Sequence, residues 1–224
     1  MRHGTKIFTC SLAVLALLFL LTSSCKKKSG DETGESQAVT VTDIDGNVYN
    51  TVKIGSQLWM AENLKTTRYR NGDPITHVTD NTQWSNLLTG AYCDYNLIYG
   101  RLYNWYAVSD GRHICPAGWH VPTDAEWTQL QAFLGGFDVA GGKMKEAGTI
   151  HWNGPNTGAT NESGFTALPG RMRSWDGSFS SIGIYANLWS STESWGWYVF
   201  YNSTYFGHGT SKNVEGFSVR CLKD

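Results

Sequence analysis

The sequence predicts an α+β domain, and three observations carry the prediction. Segments with helical spacing, one of them capped, lie in the first half of the region from residue 41 onward, and short β-prone runs divided by glycines fill the second. Apolar, strand-like runs also stand at both ends of the region from residue 41 onward. Helices and strands that segregate along a chain imply α+β architecture and not alternating βαβ units. The terminal strands are expected to lie close together.

The domain should open with a hairpin. Thr40-Val-Thr42 and Val48-Tyr-Asn-Thr-Val-Lys-Ile54 flank Asp45-Gly46-Asn47, a turn signal between β-rich runs. Asp43-Ile-Asp-Gly46 has the opening of a calcium loop. The twelfth position of such a loop needs a bidentate Glu and is here Ile54, so the turn reading stands. Gln57-Leu-Trp-Met-Ala-Glu62 is the next predicted strand, and Asn71-Gly-Asp-Pro74 another turn. Over 101–108, Leu102, Trp105 and Tyr106 fall at i, i+3 and i+4, one face of a helix, which Ser109-Asp-Gly111 would end. Pro122 then precedes Thr123-Asp-Ala-Glu126, a capping box whose hydroxyl and carboxylate satisfy free backbone amides reciprocally. Trp127, Leu130, Phe133 and Leu134 continue this second helix, and Gly135-Gly136 stops it. Later strands are predicted over 165–171, 185–191, 197–206 and 217–222. With no internal repeat and no second low-complexity linker, the chain reads as one domain over 41–224.

The segment before that domain reads as an export signal. Arg2 and Lys6 precede a mostly apolar run of 15 residues, Ile7 to Leu21. That run falls short of the roughly 20 residues that span a bilayer, so a cleaved signal over 1–24 is expected. Leu21-Thr-Ser-Ser-Cys25 resembles a bacterial lipobox, with Thr22 where the usual Leu stands, and it marks Cys25 as the site of lipid attachment. Acyl chains at about 0.8 kcal/mol per buried methylene make a durable anchor. Residues 25–40, basic at Lys26-Lys-Lys28 and then rich in Ser, Gly and Glu, read as a flexible tether. The expected localisation is the outer membrane, lipid-anchored.

From residue 41 onward, 13 Lys and Arg stand against 16 Asp and Glu. With no basic stripe to attract phosphates, nucleic acid is not an expected partner. All ten Trp and all eleven Tyr lie in this region. Three cysteines fall within it, Cys93, Cys115 and Cys221, and an exported protein would pair two of them. Spacing alone leaves three pairings open. Closing the loop from 115 to 221 would stabilise by up to roughly 4–5 kcal/mol in the chain-entropy model.

Several segments occur together in one order: Asp43-Ile-Asp-Gly-Asn-Val-Tyr49, Trp59-Met-Ala-Glu-Asn-Leu64, Gly100-Arg-Leu-Tyr-Asn-Trp-Tyr-Ala-Val108, Cys115-Pro-Ala-Gly-Trp-His-Val-Pro-Thr-Asp-Ala-Glu-Trp127, Asn161-Glu-Ser-Gly-Phe-Thr-Ala-Leu-Pro-Gly170, Leu188-Trp-Ser-Ser-Thr192 and Gly216-Phe-Ser-Val-Arg-Cys221. In these the chain resembles the Fibrobacter succinogenes major paralogous domain family, over about 41–224. Members are typically secreted proteins or lipoproteins of Bacteroidetes-type bacteria, with a largely undefined biochemical role. That family is in turn similar to the C-type-lectin-like fold, which implies two helices followed by a short-stranded, twisted antiparallel sheet. It also implies a bond between a cysteine near the first helix and one on the last strand, here Cys115 with Cys221. The run 118–127 further resembles formylglycine-generating enzymes, which share the fold.

Fold does not transfer function. The Glu-Pro-Asn and Trp-Asn-Asp motifs with which lectins of this fold bind calcium do not occur here. Glu193 and Glu215 are the only carboxylates over 177–223, so no metal site is expected. The copper chemistry of formylglycine-generating enzymes needs a close thiol pair, and Cys93 would stand alone. His113 and His120 lack the ligand spacing of the related iron enzymes, and His77, His151 and His208 are isolated. No catalytic residue, cofactor or enzymatic activity is therefore expected. A divergent oxidoreductase and a structural subunit of a surface assembly are the alternatives. The remaining reading is a binding or adhesion module for a glycan or a surface protein. Trp195, Trp197, Tyr198, Tyr201, Asn202, Tyr205 and His208 are its candidate contacts, because aromatic faces beside amides stack on sugar rings or bury into partners. On a single strand over 197–206, Trp197, Val199 and Tyr201 would share one face, and Tyr198, Phe200 and Asn202 the other.

Overall fold

The computed structural model describes residues 39–224 except Ser181 and Ser194. The expected signal peptide, Cys25 and most of the tether lie outside the described residues.

The first elements in chain order are β1 (Thr40–Thr42), β2 (Val48–Ile54), β3 (Gln57–Met60), β4 (Thr76–His77), α1 (Asn81–Ser85), β5 (Ala91–Cys93) and β6 (Leu102–Tyr103). There follow α2 (Trp105–Val108), β7 (Trp119–His120), α3 (Asp124–Phe133), α4 (Ala140–Met144), β8 (Tyr185–Trp189), β9 (Trp195–Phe200), β10 (Phe206–Thr210) and β11 (Leu222–Lys223). They form a five-stranded sheet ordered β1-β2-β3-β11-β7 and two three-stranded sheets, β10-β9-β8 and β4-β5-β6. All pairings are antiparallel except β4 with β5. The class is α+β.

The opening hairpin forms as expected, with Val41 opposite Tyr49. Asp43 is consumed by its turn. Its carboxylate accepts from the Asp45 and Asn47 amides, the Asn47 side chain and the Tyr49 hydroxyl. Helix α3 also matches its sequence signal. Thr123 caps it, Glu126 bonds back to the Thr123 amide, and Gly135 and Gly136 end it at φ 107° and 91°. Trp127, Leu130 and Leu134 are buried, whereas Phe133 is 63 % exposed and lies over Gly55.

Other expectations are corrected. Leu102 belongs to a strand opposite Cys93, and the helix after it is a single turn capped by Asn104. The Asn104 side chain explains the shift. It accepts from the Ala107 amide as a cap and also from the Ala91 amide, tying this point of the chain to β5. Residues 165–171 make no strand and touch the ladder only where Ala167 bridges Lys145. The 197–206 run is two strands, β9 and β10, joined by a turn. Residues 217–222 form isolated bridges until β11 begins. The last strand pairs with β3 and β7 and not with β1, so the first and last described strands share one sheet without pairing directly. Strands occur in both halves, interleaved with the helices of the first.

Cys115 and Cys221 are bonded, Cα to Cα 6.0 Å. The disulfide lies in a core with Met60, Tyr103, Trp189, Phe217 and Val219. A second core stacks Trp127 between Trp59 (4.6 Å) and Trp197 (6.2 Å) and includes Leu130, Phe165 and Phe206. A third, smaller core gathers Val78, Trp84, Ala91, Cys93 and Leu102.

Among the described residues three cations are fully buried: Lys145, Arg173 and Arg220. Arg173 donates to the Gly177, Val78 and Thr79 carbonyls, its guanidinium lying against Trp84 and Phe179. Arg220 donates to Asn63 Oδ1 and to the Met60 and Phe165 carbonyls. Burial pushes its guanidinium down to about 9. Loops cannot satisfy their carbonyls by ladder bonding, and these buried donors do it instead.

Candidate binding face on the C-terminal hairpin

The β9–β10 hairpin sorts its side chains by the two-residue period of a strand. Trp195, Trp197 and Val199 face inward, opposite Thr210, His208 and Phe206. Trp197, Val199 and Phe206 belong to the second core. Tyr198 and Phe200 face outward, where β8 contributes Asn187 opposite Tyr198 and Tyr185 opposite Phe200. On the other flank β10 offers Gly207 and Gly209.

Those glycines shape the outer face. A Cβ at Gly207 would lie 3.1 Å from Tyr198 Cε2 and 3.2 Å from Phe137 Cε2, so both rings lie against bare backbone. The Tyr198 hydroxyl donates to the His208 carbonyl, fixing the ring across β10. Ring centroids continue the row: Tyr198 to Phe200 at 5.1 Å, Phe200 to Tyr185 at 5.3 Å, and Phe137 to Tyr205 at 4.9 Å. Tyr205 and Phe137 are each about half exposed, at 48 % and 49 %. Beneath this band, the Asn187 side-chain nitrogen is enclosed and has no hydrogen-bond partner.

The expected contact residues are thus divided. Tyr198 stands on the outer face and Tyr205 at its edge. Asn202 is exposed in the β9–β10 turn, while Tyr201 is half-buried against the second core. Trp197 is a correction: it is 1 % exposed, its indole donates to Asp124 Oδ1 at 2.9 Å, and no surface ligand can reach it. His208 is exposed but already engaged. Its ring stacks on Trp195 (4.7 Å) and Trp197 (4.5 Å) and shares Asp124 Oδ1 at 3.1 Å. Trp195, half-buried, therefore serves this edge cluster and not the outer face. Sequence reasoning missed Tyr185, Asn187 and Phe137. A turn placed at 201–205 would have revealed the register and the Gly207-x-Gly209 alternation, whereas nothing in the sequence points to Phe137.

Groups considered for catalysis are scattered. Cys93 is buried, and burial pushes its thiol up to about 11 against the opposing pull of the Arg173 guanidinium. Four histidines each engage different carboxylates: His77 with Asp94, His151 with Glu146, His208 with Asp124, and His120 with both Glu126 and Asp224. Burial alone would lower the His120 imidazole. The hydrogen bonds to Asp224 and Glu126 outweigh that and hold it above its ordinary value. No group of three or more His, Cys, Asp or Glu suited to a metal ion occurs among the described residues.

The model of the Fibrobacter succinogenes major domain matches residues 52–223. The chain belongs to this family. The match takes in β3, α3, the outer hairpin face and both bonded cysteines. No curated protein and no solved structure matches the chain.

Proposed function

We propose that this member of the family is a lipid-anchored envelope protein whose domain binds a glycan on the outer face of the β8–β9–β10 sheet. The observation that carries the reading is the Tyr185, Phe200, Tyr198 row on the outer face, with the half-exposed Phe137 and Tyr205 pair at its edge. Aromatic rings take the C–H faces of sugars. A protein partner would use the same rings as buried anchors. The raised, buried Cys93 thiol and the separately engaged histidines favour binding over catalysis. The Cys115–Cys221 bond, from the approach to α3 to the edge of the last strand, supports a C-type-lectin-like arrangement. Attachment through Cys25 to the outer membrane belongs to the same proposal and rests on the lipobox-like run.

A glycan array probed with the protein in the presence of EDTA tests the reading. Signal that survives the chelator and falls at least tenfold in Tyr198→Ala is expected. An array that stays blank while the protein captures a protein partner through Tyr198 would replace the glycan, and binding abolished by EDTA would contradict the proposal.

A further inference from the structure

The Lys145 side chain lies in a setting that the hairpin face does not explain. It is fully buried, no carboxylate pairs with it among the described residues, and burial pushes its ammonium down to about 8. Its Nζ donates to three main-chain carbonyls, Thr157 at 2.9 Å, Phe200 at 2.9 Å and Ser203 at 2.8 Å. An ammonium has three donors, and all three are used. The Trp152 ring, 5.5 Å away, adds an aromatic face. The carbonyls come from two separate loops: Thr157 follows Asn156, and Phe200 and Ser203 bound the β9–β10 turn. Converging carbonyl dipoles without a counter-charge form a cation site, and such oxygens repel one another unless a positive charge sits between them.

The backbone around the turn is arranged to reach that point. Gly141 and Gly142 of α4 let the turn lie directly on the helix, since a Cβ at Gly141 would stand 2.2 Å from the Tyr205 carbonyl oxygen. The Gly142 amide donates to the Thr204 carbonyl, and the Thr204 hydroxyl to the Asp138 carbonyl. The Thr157 amide donates to the Tyr201 carbonyl. Lys145 thus joins the same two loops that these bonds bring together.

We propose that the three carbonyls are a monovalent-cation cage and that Lys145 supplies its ion as a tethered ammonium, which fixes the turn displaying Asn202 and Tyr205. Lys145 is a positioning residue in this scheme, and the scheme does not depend on what the hairpin face binds. It makes the charge, not the volume, the essential property. Lys145→Met keeps the apolar stem and loses the ion; Lys145→Ala empties the cage.

Thermal melting and amide hydrogen exchange of the full chain test this. Lys145→Met should melt about 5–10 °C below the parent and lose protection at residues 201–206. Lys145→Ala should regain part of its melting temperature in ammonium chloride, relative to tetramethylammonium chloride at equal concentration, because only the smaller ion can donate to the cage. Should either variant fail to fold, nitrogen-detected NMR of the parent still decides. A charged Lys145 with slowly exchanging ammonium protons at neutral pH is expected, and a neutral amine overturns the proposal. Parent-like melting of Lys145→Met, or equal response of Lys145→Ala to both salts, overturns it as well.

Discussion

Trp197 and Tyr198 are neighbours in sequence with opposite duties. Trp197 stacks 4.7 Å from Phe206 and 6.2 Å from Trp127 inside the second core, whereas Tyr198 lies on bare glycine backbone outside it. Trp197→Ala should therefore cost about 3–5 kcal/mol of stability, measurable by denaturant unfolding. The composition of 195–208 shows its aromatic richness but not which rings are spent on the core, because face assignment depends on where the turn falls. His120 yields a second prediction at this scale. Its raised imidazole stabilises the fold fully below its ordinary value of 6.5, and the contribution is lost as pH rises through the higher folded value. Glu126, where burial is outweighed by the Thr123 and His120 bonds, is held below its ordinary 4.5, so its contribution fails as pH falls. The clamp is strongest between the two ordinary values, and His120→Asn should flatten the decline of melting temperature as pH rises above 6.5.

Among the elements, α3 was fully legible, since capping chemistry and a 3.6-residue period agree over Thr123 to Gly136. Thr123→Ala should cost about 1 kcal/mol by denaturant unfolding. The helical spacing of Leu102, Trp105 and Tyr106 predicts a helix over 101–108. Pairing of Leu102 with Cys93 and of Tyr103 with Phe217 across the chain overrides that local preference. The β9–β10 hairpin was read as a single strand for a related reason. Its turn, Tyr201 to Tyr205, carries neither Gly nor Pro and is held by tertiary bonds from α4 and Lys145, which a turn-residue signal cannot reveal. Gly207→Val offers an element-scale test. The new side chain would displace Tyr198 and Phe137 from the outer face, and it should lower ligand affinity more than it lowers the melting temperature.

For the whole molecule, the disulfide closes the region from Cys115 to Cys221 and sets the last strand between β3 and β7. Family resemblance, not spacing, indicated this pairing. Peptide mapping without reduction should recover 115 joined to 221 and leave 93 as a thiol. Replacing both bonded cysteines by Ser should cost about 2–5 kcal/mol, or roughly 5–15 °C in Tm for a domain of this size. The three cores, the buried cations and the short sheets were invisible in the sequence, because each depends on contacts between distant segments.

The separation of a structural inner face from a recognition outer face is the claim on which the functional account rests. Its most direct test is the binding signal of Tyr198→Ala set beside its melting temperature. The account predicts that binding falls at least tenfold while Tm stays within about 4 °C of the parent, as expected for a loss near 1 kcal/mol. Parent-level binding by a well-folded Tyr198→Ala would contradict it.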